Sequence, residues 1–304
     1  MNLGSGLDEL PMNGVNDFIT YLQIEKRYAD HTLTSYKKDL EQYHAFCCEN
    51  GKEGMDLFFK TIRNWVVHLM ENDYTPKTIH RKLSSLRSYC RYQIKLGNLD
   101  ADPVEKVLKP KLNKRIPQFV DEQGINNLLD NYVFGDDFEG VRNRLIINLL
   151  YQTGIRRSEL VGLSVSSWNK SQGTLKVLGK RDKERIIPVG RELSDELMSY
   201  LHIRGQFFPD TKVESLFLTG MGKQVYPELI YRIVKKYISM ITTLEKTSPH
   251  ILRHTFATHM LNSGADLNAI KELLGHANLS ATQVYTHNTF EKLKSIYNQA
   301  HPRA

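Results

Sequence analysis

The sequence of 304 residues has few of the features that mark secreted, membrane or metal-binding proteins. Its three cysteines, Cys47, Cys48 and Cys90, form neither an even framework nor a CxxC motif, so we expect reduced thiols, some of them buried. No apolar run approaches the roughly 18 residues that a membrane span needs. The N-terminal segment MNLGSGLDELPMNG also lacks the cationic and apolar pattern of a signal peptide. We therefore expect a cytoplasmic location and no membrane partner.

Motifs for metal binding are missing as well. There is no HExxH motif, and neither a cysteine nor a suitable carboxylate accompanies the histidines in the C-terminal part of the chain. These histidines are His250, His254, His259, His276 and His287. We therefore expect no metal site and no other cofactor.

The composition is that of a folded protein with a polyanionic partner. Hydrophobic residues make up 40% and aromatic residues 10%, which is enough for real cores and not typical of disorder. The length allows two domains of ordinary size. Basic residues number 41 against 34 acidic ones, a net charge of +7, which favours nucleic acid without identifying it.

Hydrophobic periodicity and turn residues divide the chain into two domains. Residues 13–108 have four helical patterns, of which the second is expected to be capped by Thr32. Residues 109–117 are a basic linker that contains Pro110 and Pro117. Residues 118–304 combine helical patterns with a strand-rich stretch from Val165 to Val189. The predicted fold class is mainly α with a small antiparallel β-sheet.

The fourth helical pattern has one apolar face and one basic face. Pro76 suits its first position, and Ile79, Leu83 and Leu86 recur at helical spacing. No acid interrupts the basic residues, so we favour phosphate contact over an ordinary solvated face. The candidate DNA-binding residues are Lys77, Arg81, Lys82, Arg87, Arg91 and Lys95.

Two motifs in the middle of the chain carry candidate chemistry. In TGIRRSEL, Arg156 can grip a phosphate bidentately, and Glu159 lies on the same helix face; a helix-end salt bridge is the alternative. In LGKRDKER, Lys180 lies at the tip of a predicted hairpin, where it could protonate a leaving oxygen, although lysines at turns are usually only solvated.

Two further motifs lie near the C-terminus. His250 and Arg253 are three residues apart at a predicted helix start, so they face the same way and could clamp a phosphate. His276 ends another helical pattern, and Tyr285 follows it nine residues later. A phenol among cations and imidazoles suits phosphoryl transfer to a protein hydroxyl. A buried, hydrogen-bonded tyrosine is the alternative for Tyr285.

Taken jointly, these motifs resemble the tyrosine recombinase (phage integrase) family, and more narrowly its Xer class. The resemblance is carried by TGIRRSEL, LGKRDKER, HILRHTFATHML, GADLNAIKELLGHANLSATQVYTH and the terminal HPRA. It covers residues 151–304 closely and the first domain more loosely. The sequence departs from the family pattern at Arg181-Asp182, where a glycine often follows the lysine.

The resemblance implies both a fold and a catalytic set. The fold is a helical, SAM-like core-binding domain (13–108) followed by an α+β catalytic domain (118–304). The nucleophile would be Tyr285, and Glu159 would be a supporting acid. The activating residues would be Arg156, Lys180, His250, Arg253 and His276.

The implied activity is that of an enzyme, a site-specific DNA recombinase with chemistry like that of type IB topoisomerases. It would act through a 3′-phosphotyrosine and a Holliday junction, in Xer-type resolution of chromosome or plasmid dimers during chromosome partition and cell division. The implied partners are a double-stranded DNA recombination site, a related recombinase in a homo- or hetero-tetramer, and a septal DNA translocase. The segment from about Phe290 onward would contact a neighbouring subunit, with an intramolecular cap as the alternative.

Two other functions remain open from the sequence. The first is a mobile-element integrase or invertase with the same chemistry. The second is a non-catalytic DNA-binding regulator that has kept the fold. Reactive side chains at all six expected catalytic positions favour an enzyme.

Overall fold

The computed structural model describes residues 13–112, 118–179, 183–244, 247–275 and 287–304. The chain divides into two compact units, with the boundary between residues 115 and 116. Each unit has its own hydrophobic core. None of the helices in these ranges is both long enough and apolar enough to span a lipid bilayer.

The first unit is built from four helices, α1 Asn13–Ile24, α2 Asp30–Glu49, α3 Phe59–Glu71 and α4 Pro76–Lys95. Helix α4 begins with Pro76 as predicted, because the side chain of Thr75 caps it by accepting the N–H of Thr78. Helix α2 begins two residues before Thr32, so the predicted cap is wrong. The acidic Asp30 occupies the first turn instead, where a carboxylate favours the positive end of the helix dipole.

The core of the first unit uses the predicted apolar faces. Ile79, Leu83 and Leu86 of α4 are fully buried, and they share one cluster with Tyr43 and Trp65. Cys47 and Cys90 are buried and Cys48 is exposed, and all three are free thiols. The first unit is therefore stabilised by packing of its core and not by disulfide bonds.

The second unit surrounds a small sheet with helices. Its helices are α5 Glu122–Asn131, α6 Phe138–Thr153, α7 Arg157–Val161, α8 Arg191–Phe207, α9 Pro227–Ile238, α10 Pro249–Asn262, α11 Leu267–Leu274 and α12 His287–Ala300. Its strands are β1 Trp168–Asn169, β2 Thr174–Leu178 and β3 Glu184–Pro188.

The three strands form one antiparallel sheet in the order β1-β2-β3. In the β2–β3 pair, Leu175 lies opposite Ile187 and Val177 lies opposite Arg185. All four of these side chains are buried, so the charged Arg185 occupies an inward position of its strand. The predicted fold class, mainly helical with a small antiparallel sheet, is confirmed.

Helix α6 forms the centre of the second unit and ends at a glycine that its surroundings require. Gly154 has a left-handed conformation with φ of 60°. A Cβ atom there would lie 2.7 Å from side-chain atoms of both Leu274 and Phe256. Only glycine fits this turn without displacing its neighbours. The turn directs the chain from α6 into α7.

Helix α12 packs against the unit from which it emerges. Tyr297 is fully buried and donates a hydrogen bond to Gln152 of α6 at 3.3 Å. Beyond the helix, His301 stacks on Tyr297. Arg303 pairs with Asp130 and with Glu192 of α8. The chain thus adopts the intramolecular alternative. Contact of this segment with a neighbouring subunit stays a prediction.

Candidate active site

Arg253 joins the ends of three helices. It lies on the second turn of α10 and is only 9% exposed. One guanidinium nitrogen donates to the carbonyl of Gly154 at 2.8 Å, and another donates to the carbonyl of Leu274 at 2.8 Å. These carbonyls belong to the C-terminal ends of α6 and α11, which leave acceptors without partners in the helix. The cation also favours the negative ends of both helix dipoles.

The charge of Arg253 is held in unfavourable surroundings. Burial, followed by repulsion from Arg156, lowers the pKa of Arg253 to about 10. The guanidinium is still protonated at neutral pH. A buried cation close to a second cation favours the approach of an anion, because an anion relieves both the repulsion and the loss of hydration.

Arg156 lies at the N-terminal end of α7, directly after the Gly154 turn. Its backbone N–H and its guanidinium donate to the two carboxylate oxygens of Glu159, each at 2.8 Å. The salt bridge that was the alternative for this motif is therefore present. The Arg156 side chain is nevertheless 34% exposed. Arg156 can therefore both pair with Glu159 and meet a ligand from solvent.

Glu159 is the acid around which two arginines converge. It is buried, and besides Arg156 it accepts two hydrogen bonds from Arg185, at 3.0 and 2.8 Å. Burial would raise the pKa of this carboxyl, but the hydrogen bonds and charge of Arg185 and the bonds from Arg156 lower it to about 2. Glu159 is therefore ionised throughout the physiological range.

Arg185 is a residue of this site that the sequence patterns did not single out. Besides Glu159, it donates from Nε to the carbonyl of Leu273 at 2.8 Å. One available signal was its place in β3, since Arg185 alternates with the apolar Ile187 and so faces the core. A charged residue at an inward strand position requires a buried partner.

His250 is the exposed member of the described group. It is the second residue of α10 and lies one helical turn before Arg253. Partial burial of the ring, followed by repulsion from His254 and Arg253, lowers the pKa of His250. Its imidazole is therefore neutral at neutral pH and can accept a proton or donate a hydrogen bond.

Of the expected catalytic residues, the structure thus brings Arg156, His250 and Arg253 together, with Glu159 beside them. Lys180, His276 and Tyr285 lie outside the described residues. In the ranges that the structure describes, no three histidine, cysteine or acidic side chains are grouped so that they could hold a metal ion.

The basic face of α4 is less free than its sequence indicated. Lys82 is 3% exposed, and its ammonium donates to Asp39 and Gln42 of α2. Arg81 pairs with the same Asp39. Other segments supply the acids that α4 lacks. Arg87, for example, pairs with Asp102 at 2.6 Å. The burial of Lys82 speaks against its predicted contact with DNA.

The remaining basic residues of α4 are accessible. Lys95 pairs with Glu25 at 3.2 Å, but more than half of each side chain is exposed. Lys77 and Arg91 are exposed and form no ion pair among the described residues. They are the cations of this helix best placed to meet a phosphate.

The chain belongs to the phage integrase family, whose model matches residues 118–292. The model of the phage integrase N-terminal SAM-like domain matches residues 15–97. These matches and the relatives below confirm the expected class of enzyme, a site-specific recombinase of the tyrosine type.

Curated relatives match nearly the whole chain. Tyrosine recombinase XerC of Chlorobaculum tepidum is 36% identical and covers 95% of this chain and 94% of its own. Tyrosine recombinase XerD of Staphylococcus aureus is 34% identical and covers 95% of this chain and 99% of its own. The chain is similar to both subclasses at nearly the same level of identity.

Solved structures share the fold at lower identity. XerH site-specific recombinase, in a post-cleavage complex with its palindromic difH substrate, has a TM-score of 0.68 at 21% identity and covers 94% of this chain and 88% of its own. The Tn1549 transposon integrase in complex with transposon right end DNA has a TM-score of 0.64 at 21% identity, with coverage of 92% and 97%. These likenesses support the fold.

Proposed function

We propose that this protein cuts and rejoins duplex DNA at a specific site through a 3′-phosphotyrosine on Tyr285. The observation that carries the proposal is the convergence of Arg156, His250 and Arg253 at the ends of α6, α7 and α10. Two cations and a neutral imidazole on one side of the domain suit a phosphodiester whose charge increases during displacement.

In the proposed cleavage step, the hydroxyl oxygen of Tyr285 attacks the phosphorus in line. The P–O bond to the 5′ oxygen breaks as the bond to tyrosine forms. Lys180 gives its proton to the leaving 5′ oxygen, and a histidine, His250 or His276, takes the proton of the tyrosine hydroxyl. The products are a 3′-phosphotyrosine and a free 5′ hydroxyl.

The two arginines supply charge stabilisation. Arg156 and Arg253 would donate to the non-bridging oxygens of the pentacoordinate state, and both are held by protein groups before DNA arrives. Such preorganised donors cost little reorganisation at the moment of reaction. Loss of one key donor typically costs about 3–4 kcal/mol of barrier, or roughly a hundredfold or more in rate.

Rejoining uses the same groups in the reverse direction. A 5′ hydroxyl from another strand attacks the phosphotyrosine, and the tyrosine leaves with its proton restored. The energy of the phosphodiester is kept in the covalent bond, so no nucleotide cofactor is needed. Two successive exchanges between two duplexes pass through a Holliday junction.

The assembly we propose is a tetramer on two duplexes, formed by this chain alone or with a related recombinase. The relatives named XerC and XerD favour resolution of chromosome or plasmid dimers as the biological task, with a septal DNA translocase as a further partner. The segment from Phe290 would then leave its intramolecular position and pack on a neighbour. Mobile-element integration is the second candidate, favoured by the likeness to a transposon integrase.

The test is covalent trapping on nicked duplexes whose sequence is randomised, so that no recombination site has to be known. The nick lets the fragment with the 5′ hydroxyl diffuse away, and the covalent complex accumulates. We expect an adduct with the wild-type chain and with the control Tyr231→Phe, an exposed tyrosine of α9. Tyr285→Phe should bind DNA and form no adduct. An adduct with Tyr285→Phe, or loss of the adduct with EDTA, would contradict the proposal.

A further inference from the structure

The C-terminal end of α11 is held by two guanidinium groups. Arg253 donates to the carbonyl of Leu274, the last residue of the helix, and Arg185 donates to the carbonyl of Leu273. Both acceptors lack a partner within the helix, and both donors carry the charge that suits a helix C-terminus. Gly275 follows this end of the helix, and His276 is the next residue.

The hydrogen-bond donors of Arg185 are bonded to acceptors within the protein. Arg185 is 5% exposed, and its Nε, NH1 and NH2 groups all donate to Leu273 or Glu159. It is therefore not placed to touch a phosphate itself. Arg185 therefore connects strand β3, on which it lies, to Glu159 and to the end of α11.

Two glycines from other segments lie close to this arginine. Gly275 has φ of 67°, and a Cβ there would lie 3.2 Å from both Cδ and NH1 of Arg185. Gly179, the residue before Lys180, also lies against the pair, with a Cβ position 3.5 Å from the guanidinium and 3.7 Å from Glu159. Arg185 thus lies close to both glycines that precede expected catalytic residues.

We infer that Arg185 is a positioning residue of the cleavage reaction. It fixes the end of α11 against Glu159 and so sets the backbone from which His276 departs. This inference rests on the proposed function, because it assigns Arg185 an effect that is exerted through His276. Arg185 also shares Glu159 with Arg156, so both arginines depend on the same carboxylate.

A purely structural role is the competing explanation, because breaking a buried ion pair is destabilising wherever it lies. The chain offers a control in Arg144, whose side chain makes similar contacts but is more exposed, at 39% against 6% for Arg185. Its Nε donates to the carbonyl of Leu129 at 3.1 Å, and its NH2 pairs with Glu196 at 3.1 Å. Arg144 thus makes the same two kinds of contact as Arg185, with a carbonyl and a glutamate outside the site.

The experiment is a double-mutant cycle on single-turnover cleavage of a trapped nicked substrate. Arg185→Gln should slow cleavage by about tenfold or more relative to Arg144→Gln, with DNA affinity changed by less than about threefold. Combined with His276→Asn, Arg185→Gln should add less than about a twofold loss, because residues that act as a unit are not additive. Arg144→Gln combined with His276→Asn should show the product of the two single effects.

Two outcomes would overturn the inference and leave the proposed function intact. One is cleavage by Arg185→Gln equal to that by Arg144→Gln, and the other is multiplicative loss in the Arg185→Gln/His276→Asn pair. Should Arg185→Gln not fold, Arg185→Lys keeps a cation beside Glu159 and enters the same cycle. If His276→Asn alone cleaves like the wild type, the proposed role of His276 fails, and this inference fails with it. If His276→Asn cleaves slowly and its effect multiplies with that of Arg185→Gln, the inference fails but the proposed function stands.

Discussion

Replacing Glu159 by glutamine removes the charge on which the site is organised. The carboxylate accepts four hydrogen bonds, two from Arg156 and two from Arg185. Glutamine has one acceptor oxygen and one amide nitrogen, so a buried N–H group of Arg185 would face another donor. We expect a less stable second unit and a weaker hold on both arginines.

The size of the effect follows from the pKa of Glu159. Lowering this pKa from 4.5 to about 2 corresponds to roughly 3 kcal/mol, at about 1.4 kcal/mol for each pH unit. Because the folded pKa is depressed, this stability is fully present above the unfolded pKa of 4.5 and is lost as the pH falls towards 2. The variant should therefore be less stable by about 3 kcal/mol at pH 7, and the difference should shrink below pH 4.5.

The assay is urea unfolding of the wild type and Glu159→Gln between pH 7 and pH 3. In a common Trp65→Phe background, the fluorescence of Trp168 reports on the second unit. Glu196→Gln is the control of opposite sign, because burial raises the pKa of Glu196, so folding disfavours its ionised form. That control should lose little or gain stability at pH 7. A stability difference for Glu159→Gln that stays constant from pH 7 to pH 3 would refute the reasoning.

Three further predictions concern chemistry, DNA binding and the Gly154 turn. Lys180→Ala should cleave an ordinary nicked substrate slowly but recover on one with a 5′-bridging sulfur, because a thiolate leaves without a proton; equal defects on both would exclude a general acid. Replacing Lys77 and Arg91 by alanine should reduce the slope of log affinity against log salt by about 2, and an unchanged slope in a titration would remove α4 from the DNA interface. Gly154→Ala should destabilise the second unit by about 2–4 kcal/mol in urea, through backbone strain and contact with Phe256.

Much of the local structure follows from the sequence, because helix and turn signals act over a few residues. Pro76 and the spacing of Ile79, Leu83 and Leu86 predicted the first residue and the apolar face of α4 as the structure has them. The strand-rich stretch predicted from Val165 to Val189 likewise contains β1, β2 and β3. These predictions required only the periodicity of 3.6 or 2 and the known preferences of turn residues.

The contacts between distant segments could not be predicted in the same way. The absence of acids in α4 suggested a free basic face, but Asp39 of α2 and Asp102 reach it in the folded unit. Arg185 could not be assigned to Glu159 either, since 26 residues separate them and the packing of α7 against the sheet region brings them together. Long-range pairing of charges depends on tertiary packing, which local sequence patterns do not predict.

The position of the C-terminal segment shows the same limit. The family resemblance implied that the segment from about Phe290 contacts a neighbouring subunit, and an intramolecular cap was the alternative. Tyr297 selects the core in the isolated chain, because a buried hydroxyl finds an acceptor in Gln152.

The central claim, a phosphotyrosine on Tyr285, is tested most directly by locating the covalent bond. After trapping on a nicked duplex, nuclease and trypsin digestion leaves a nucleotide on one peptide. The tryptic peptide 272–292 contains a single tyrosine, so its mass identifies the attachment site, and fragmentation shows whether the link is to a 3′ phosphate. The account predicts this peptide with the nucleotide on Tyr285. A nucleotide on any other residue, or a 5′ phosphate link, would contradict it.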